Sequence, residues 1–136
     1  MIAPLFSLLV LCGCGNGNSD GINLPPCFPF VCQPTPAAPS VSTDAATNIT
    51  SNSANLNGHI NPNWKDTGGW FEWSPLATMS SYSTNNPGQF LGSGNTTFTI
   101  SYPVSGLTGS TTYYYRAVAY NVLGISYGTI ASFTTP

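Results

Sequence analysis

Charge is scarce in this sequence of 136 residues. Only 4% of the residues are charged, with two cations, Lys65 and Arg116, against four acidic residues. Two cations cannot form the basic patch that nucleic-acid binding requires, so we expect no nucleic acid among the partners. No acidic cluster has the spacing of a calcium loop, and no glycine-rich loop precedes a helix. We therefore expect neither a metal nor a cofactor.

Groups for acid–base catalysis are also few. His59 is the only histidine, and it falls on the outward side of a predicted strand. A catalytic histidine needs a nucleophile and an orienting acid within reach, whereas Asp44 and Asp66 lie in turn-like sequence. These two acids and Glu72 are too sparse to predict the carboxylate pair of a glycoside hydrolase. We expect that the protein is not an enzyme and that His59 is a solvated strand residue.

No apolar run approaches the length of about 20 residues that a membrane-spanning helix needs. The run at residues 5–11 has the length of the apolar region of a secretory signal peptide, although no Lys or Arg precedes it. It ends in Leu11-Cys12-Gly13-Cys14, which resembles the lipobox of bacterial lipoproteins. The resemblance implies removal of residues 1–13, acylation of Cys14 and a membrane anchor, at the outer membrane or cell surface. The alternative is an ordinary secretory signal that leaves the protein unanchored.

Residues 14–38 form a predicted stalk, rich first in Gly and Asn and then in Pro, a composition that favours an extended chain. Cys27 and Cys32 lie in it and are the two cysteines left after Cys12 is removed and Cys14 acylated. An even number of cysteines in an oxidising compartment predicts a disulfide between them. A metal site would need further ligands, and a redox-active pair usually has a two-residue spacing.

From residue 39 onward the chain is predicted to be all-β. Short stretches of alternating apolar and polar residues recur between Gly, Pro and Asn clusters, which is typical of sandwich strands. Val41 and Ile49 fall on a first edge strand, and residues 79–94 are predicted to be a loop with at most one short strand. The predicted inward-facing residues are Ala54, Leu56, Gly58, Ile60, Phe71, Trp73, Phe98, Ile100, Tyr102, Val104, Tyr113, Tyr115, Ala117, Ala119, Thr129, Ala131 and Phe133.

Residues 107–113, Leu-Thr-Gly-Ser-Thr-Thr-Tyr, are similar to the fibronectin type III segment Leu-x-Pro-Gly-Thr-x-Tyr. Residues 115–124 fit the continuation of that segment, and residues 53–73 resemble the bacterial extracellular branch of the fold. The resemblance covers residues 39–135, close to the length of such domains. It implies a seven-stranded antiparallel immunoglobulin-like sandwich over residues 39–136.

The same resemblance implies a tyrosine corner, in which the Tyr113 hydroxyl bonds to the backbone a few residues upstream and Leu107 plugs the corner. Two features depart from the family pattern. Gly109 and Ser110 stand where the family has Pro and Gly. The usual core Trp of the second strand is missing near Gly58, and we expect Phe71 or Trp73 to fill that space.

One outer surface stands out in such a sandwich, because the strand of residues 70–73 neighbours that of residues 113–120. A cross-strand pair between Glu72 and Arg116 is expected there, and Trp64 is a separate exposed candidate. The surface is either a recognition face or an ordinary sheet face, since aromatic pairs also stabilise sheets. Its expected outward residues are Trp70, Glu72, Tyr114, Arg116, Val118, Tyr120 and Ile130.

These observations predict a non-catalytic lipoprotein of the cell envelope whose sandwich domain acts in binding or spacing, through protein contacts or surface adhesion. Two alternatives stay open. A carbohydrate-binding accessory module would use the exposed aromatic residues, and a structural or filament subunit would associate with copies of itself. The expected partners are the membrane, through the lipid anchor, and a protein or polysaccharide.

Overall fold

The computed structural model describes residues 35–136. The signal peptide, Cys14, the Cys27–Cys32 pair and most of the predicted stalk lie outside these residues. Within residues 35–136 all secondary-structure elements are β-strands. No helix in that part of the chain could span a membrane. The strands are β1 (Ser40–Thr47), β2 (Ser53–Asn61), β3 (Thr67–Ser74), β4 (Ser83–Thr84), β5 (Gln89–Gly92), β6 (Phe98–Ser105), β7 (Thr112–Asn121), β8 (Gly124–Tyr127) and β9 (Ala131–Thr134).

The strands form two antiparallel sheets, one of three strands in the order β1-β2-β6 and one of six strands centred on β3 and β7. Both β4 and β5 pair with β3, along the edge that does not face β7. In the same way β8 and β9 follow each other along the free edge of β7. The nine segments therefore fill seven strand positions, and the predicted seven-stranded immunoglobulin-like sandwich is confirmed.

Residues 79–94 hold two short strands, where one at most was predicted. The outer edge of β3 would otherwise leave a row of unpaired backbone groups. Strand β4 pairs with Glu72 and Trp73, and β5 pairs with residues 67–69. Between them the Phe71 N–H donates to the Asn85 side-chain oxygen at 2.7 Å. Two strands and one side chain thus complete the hydrogen bonding of this edge, a pairing that the polar local sequence does not indicate.

The core lies between the sheets and follows the predicted alternation on β2, β6 and β7. Phe71 fills the space over Gly58, because a Cβ placed at Gly58 would lie 3.6 Å from the Phe71 ring. Trp73 is only half-buried and contacts Tyr102 at one end of the core, with ring centroids 5.8 Å apart. Of the two residues expected to replace the missing Trp, Phe71 is the one that does so.

Two residues predicted on the outer strands lie just beyond them. Ile49 follows β1 and is exposed, and Thr129 precedes β9 and is exposed. In both cases the residue lies outside the part of the strand that is paired, which reaches Thr47 in β1 and Ala131 in β9. Strand ends are set by that partner, because a β-strand gains its hydrogen bonds from its neighbour and not from itself.

The corner between β6 and β7 is closed by a side-chain contact to the backbone. The Tyr113 hydroxyl accepts a hydrogen bond from the Thr108 N–H at 3.0 Å, and Leu107 is buried beside it. Ser110 has a φ of 52°, in the left-handed region where a glycine would meet no steric cost. This is the position at which the fibronectin pattern has Gly.

Candidate functional site

The two outer surfaces of the sandwich differ sharply in composition. On the three-stranded sheet, the outward residues are almost all hydroxyl, amide or ionisable side chains, and we call this surface the polar face. The alternation of burial along β2 and the register of its neighbours define it. Its residues are Ser40, Ser42, Asp44, Asn55, Asn57, His59, Asn61, Thr99, Ser101 and Pro103.

The outer surface of the six-stranded sheet is mainly aromatic and aliphatic, and we call it the aromatic face. Across the strands, the register aligns Phe90, Gly68, Tyr120 and Ile125 in one row, and Trp70, Val118 and Tyr127 in the next. Phe90 is 72% exposed, Tyr127 53%, Ile125 50% and Tyr120 49%. The face consists of Trp70, Glu72, Phe90, Tyr114, Arg116, Val118, Tyr120, Ile125 and Tyr127.

Three residues of the aromatic face were not among the sequence candidates, namely Phe90, Ile125 and Tyr127. Phe90 lies on β5, inside the segment predicted to be a loop. Ile125 and Tyr127 lie on β8, a strand that the sequence analysis did not predict. The alternation of Ile125-Ser126-Tyr127 next to Gly124 is a short strand signal that could have identified them.

An ion pair lies within the aromatic face. The Arg116 Nε donates to Glu72 Oε2 at 2.8 Å, and its Nη2 lies 2.8 Å from the same oxygen. The guanidinium carbon also lies 4.3 Å from the centroid of the Tyr127 ring, in cation–π contact. The two charges compensate each other, so the face carries no net charge, and the guanidinium is held from two sides.

Two outward-pointing residues of this face are buried, contrary to the expectation that they would be exposed. Glu72 is 5% exposed and Val118 is 0% exposed. Arg116 lies opposite Glu72 on the neighbouring strand, and Val118 lies between the larger side chains of Trp70 and Tyr127. Large neighbours on a pleated surface cover smaller ones, which strand periodicity alone does not report.

The remaining sequence candidates are dispersed. Trp70 and Tyr114 lie on the aromatic face and are half-buried. Trp64 is 42% exposed in the connection between β2 and β3, outside both sheets, with a φ of 66°. Ile130 is exposed but precedes β9, so it does not join the face through a strand as expected.

His59 is paired, where a solvated residue was expected. Its Nδ1 lies 2.5 Å from Asp44 Oδ2 on the polar face. Asp44 belongs to β1 and not to a turn, and the β1–β2 register brings it diagonally next to His59. His59 also lines a shallow depression of about 260 Å³. Both side chains are more than one-third exposed, and within residues 35–136 no group of three potential metal ligands occurs.

A second depression, of about 370 Å³, opens between the two sheets at the end of the sandwich that holds the Tyr113 corner. Trp73, Tyr82 and Tyr113 contribute aromatic surface to it. The sequence analysis assigned Trp73 to the core and Tyr82 to a loop, so it gave no sign that these side chains meet. We call this depression the inter-sheet cleft.

Comparison with known proteins identifies the fold and nothing finer. No family model matches the chain, and no curated protein matches it. A shorter form of the sensor domain of the anti-sigma factor RsgI4 from Pseudobacteroides cellulosolvens is similar, with a TM-score of 0.57 and 14% identity over 71% of this chain and 93% of that one. The solution structure of the same domain gives a TM-score of 0.54 and 16% identity, over 71% and 74% of the two chains. The likeness shows a shared β-sandwich fold.

Proposed function

We propose that this chain is an exported, non-catalytic recognition module of the fibronectin type III kind, which binds a protein partner through the aromatic face. The observation that carries the proposal is the contrast between the two outer surfaces of the same sandwich. One is polar apart from Pro103, and the other exposes four large apolar side chains. Sheet stability alone would not favour exposing them on one side only, whereas contiguous apolar patches mark interaction sites.

The composition of the aromatic face favours a protein partner. The cores of protein interfaces are enriched in Tyr, Trp, Phe and Arg and depleted in Lys and Asp. The face has the first four types and neither of the last two. Its one carboxylate, Glu72, is buried and compensated by Arg116. A flat sheet surface of this kind fits another macromolecular surface better than it fits a small molecule.

The ion pair gives this face a preorganised centre. Arg116 is fixed by Glu72 on one side and by the Tyr127 ring on the other. Arg and Tyr are common among the residues that dominate binding energy, and a side chain that is already ordered loses less entropy on binding. We infer that Arg116, with Tyr127 against it and Tyr120 further along β7, contributes most of the affinity.

The proposed location follows from the N-terminal sequence. A lipobox-like segment ending at Cys14 supports export and lipidation, and the Pro-rich stalk would hold the sandwich away from the membrane. The proposal that the module is not an enzyme rests on chemistry. The His59–Asp44 pair lies on an open surface, where no part of residues 35–136 excludes water or encloses a substrate. Fold likeness to a sensor domain is compatible with recognition but does not establish it.

The binding face can be tested by site-specific photo-cross-linking in the cells that produce the protein. A benzophenone amino acid would be placed in the full chain at position 120 on the aromatic face, and at position 99 on the polar face as the matched control. The proposal expects a discrete adduct with another protein from position 120 only, weakened by Arg116→Ala. An adduct with a second copy of this chain, or none that differs from the control, would overturn it.

The anchor can be tested separately by metabolic labelling with a tagged fatty acid. Cys14→Ser should abolish the label, because the thiol that is acylated is removed. Cys12→Ser is the matched control and should keep it. Equal labelling of both variants, or no labelling of the wild-type chain, would contradict a lipid anchor at Cys14.

A further inference from the structure

The inter-sheet cleft is a second site, distinct from the aromatic face. It lies where the start of β4 and the end of β6 leave the two sheets open, and its volume of about 370 Å³ falls within the usual range for small-molecule sites. Trp73 points to the inner side of β3, whereas Trp70 points to the outer side. A ligand in the cleft and a partner on the aromatic face would therefore not compete.

The lining of the cleft combines aromatic rings with hydroxyl groups. The rings belong to Trp73, Tyr82 and Tyr113, and the hydroxyl groups to Ser81, Ser83 and Ser105. No acidic or basic side chain is among the lining residues. Because none of these lining residues could compensate an ionic charge, a neutral ligand fits the cleft better than a charged one.

Several polar groups at the cleft are available to a ligand. Within residues 35–136, the indole N–H of Trp73 and the hydroxyls of Tyr82, Ser83 and Ser105 make no hydrogen bond to other protein groups. The Tyr113 hydroxyl accepts from the Thr108 N–H, which leaves its own proton free to be donated. Donors and acceptors on the lining residues can supply the polar component of a small-molecule site.

The aromatic surfaces of the cleft are held in place. Trp73 contacts Tyr102 with ring centroids 5.8 Å apart and an interplanar angle of 33°. Tyr113 stacks on Phe133 at 5.7 Å and is fixed at its other end by the corner hydrogen bond. Tyr82, by contrast, is 48% exposed at the rim. The cleft thus has two fixed aromatic walls and one exposed aromatic side chain at its rim.

We propose that the inter-sheet cleft binds a neutral sugar unit of an oligosaccharide. A pyranose ring has C–H faces that stack on aromatic rings and hydroxyls that exchange hydrogen bonds with serine and tyrosine hydroxyls. This combination of neutral, partly apolar and hydroxyl-rich surfaces matches the lining. The inference goes beyond the proposed function and does not depend on it, because the two sites share no residue.

The test is a titration of the full-length protein with neutral oligosaccharides of glucose, xylose and N-acetylglucosamine, followed by calorimetry and by Trp fluorescence. At least one of them should bind and change the fluorescence. Tyr82→Ala should weaken that binding about tenfold, the equivalent of losing one aromatic contact. Tyr120→Ala, a Tyr on the aromatic face with nearly the same exposure, is the matched control and should leave it unchanged.

Trp73→Phe is the second variant, because it keeps an aromatic ring while removing the indole N–H. It should bind more weakly and lose the fluorescence change, with the near-ultraviolet circular dichroism showing whether the fold is kept. If no neutral oligosaccharide binds, or if Tyr120→Ala weakens binding and Tyr82→Ala does not, the proposal is overturned. Binding of an uncharged aromatic compound or peptide in place of sugars would overturn it equally.

Discussion

Replacing Arg116 by Met should destabilise the domain strongly, although Arg116 lies on an outer surface. Glu72 is 5% exposed, and Arg116 supplies both of its close polar contacts, at 2.8 Å. The Met side chain keeps much of the apolar stem of Arg and removes the charge. The variant would therefore leave a carboxylate that is buried and has no partner.

The size of the effect follows from these contacts. Removing one partner of a buried ion pair costs about 3–5 kcal/mol. The Arg116 side chain is 23% exposed, so water can reach the site when the guanidinium is gone, and we expect the lower end of that range. Loss of the cation–π contact with Tyr127 adds about 0.5–1 kcal/mol. The total, about 3–4 kcal/mol, is a large part of the 5–15 kcal/mol typical of a folded domain.

The measurement is urea unfolding of the full chain, followed by Trp fluorescence, for the wild type and for Arg116→Met, Glu72→Gln and the double variant. The double variant should be about 2 kcal/mol more stable than Arg116→Met, because a neutral amide replaces the unpaired charge. A cost below about 1 kcal/mol for Arg116→Met would show that the pair behaves as a surface ion pair. Additive effects of the two substitutions would also refute the reasoning.

Three further outcomes are expected. Gly58→Ala should cost about 1–3 kcal/mol of unfolding free energy through overpacking, since its Cβ would lie 2.7 Å from a carbonyl oxygen of β1. Gly94→Ala should be neutral, because its Cβ would make only an ordinary contact, 3.8 Å from the Thr96 nitrogen, and equal effects of the two substitutions would contradict this. Burial raises the pKa of Tyr115 above its ordinary 10.0, so the folded state keeps that proton where the unfolded state loses it. Stability should be intact below about pH 10 and fall above it, and less steeply in Tyr115→Phe, in urea titrations at several pH values. His59→Gln should cost less than about 1 kcal/mol in the same urea titrations, because both members of its pair with Asp44 are partly exposed.

Much of the fold could be predicted from the sequence. The alternation on β2, β6 and β7 is a local property, because successive side chains of a strand point to opposite sides and one side must be buried. The positions of β4, β5 and β8 could not be read in the same way. These segments are short and polar or partly exposed. They form strands because they pair with the free edges of β3 and β7.

The candidate sites divide in the same way. Trp70, Tyr120 and the Glu72–Arg116 pair were within reach of the sequence, because they lie on two long strands whose pairing the fibronectin resemblance implies. Phe90 was not, since it joins the aromatic face only through β5. The alternation around Tyr127 indicates a short strand, but it does not show that this strand lies beside β7. The inter-sheet cleft could not be predicted from the sequence, because its aromatic and serine side chains come from segments that no local pattern connects.

The sequence by itself determined that residues 39–136 form an all-β sandwich, that few groups are available for catalysis, and which residues of the long strands face inward. These properties depend on composition and on the alternation of apolar and polar residues along a strand. Both can be read from a short segment of the sequence. Only the tertiary structure decided that Glu72 and Val118 are buried by their neighbours and that Asp44 pairs with His59. It also decided that Trp73 lines a cleft, whereas Phe71 fills the core over Gly58. Each of these depends on which strand lies beside which and in what register, and the register is fixed by contacts between residues far apart in the chain.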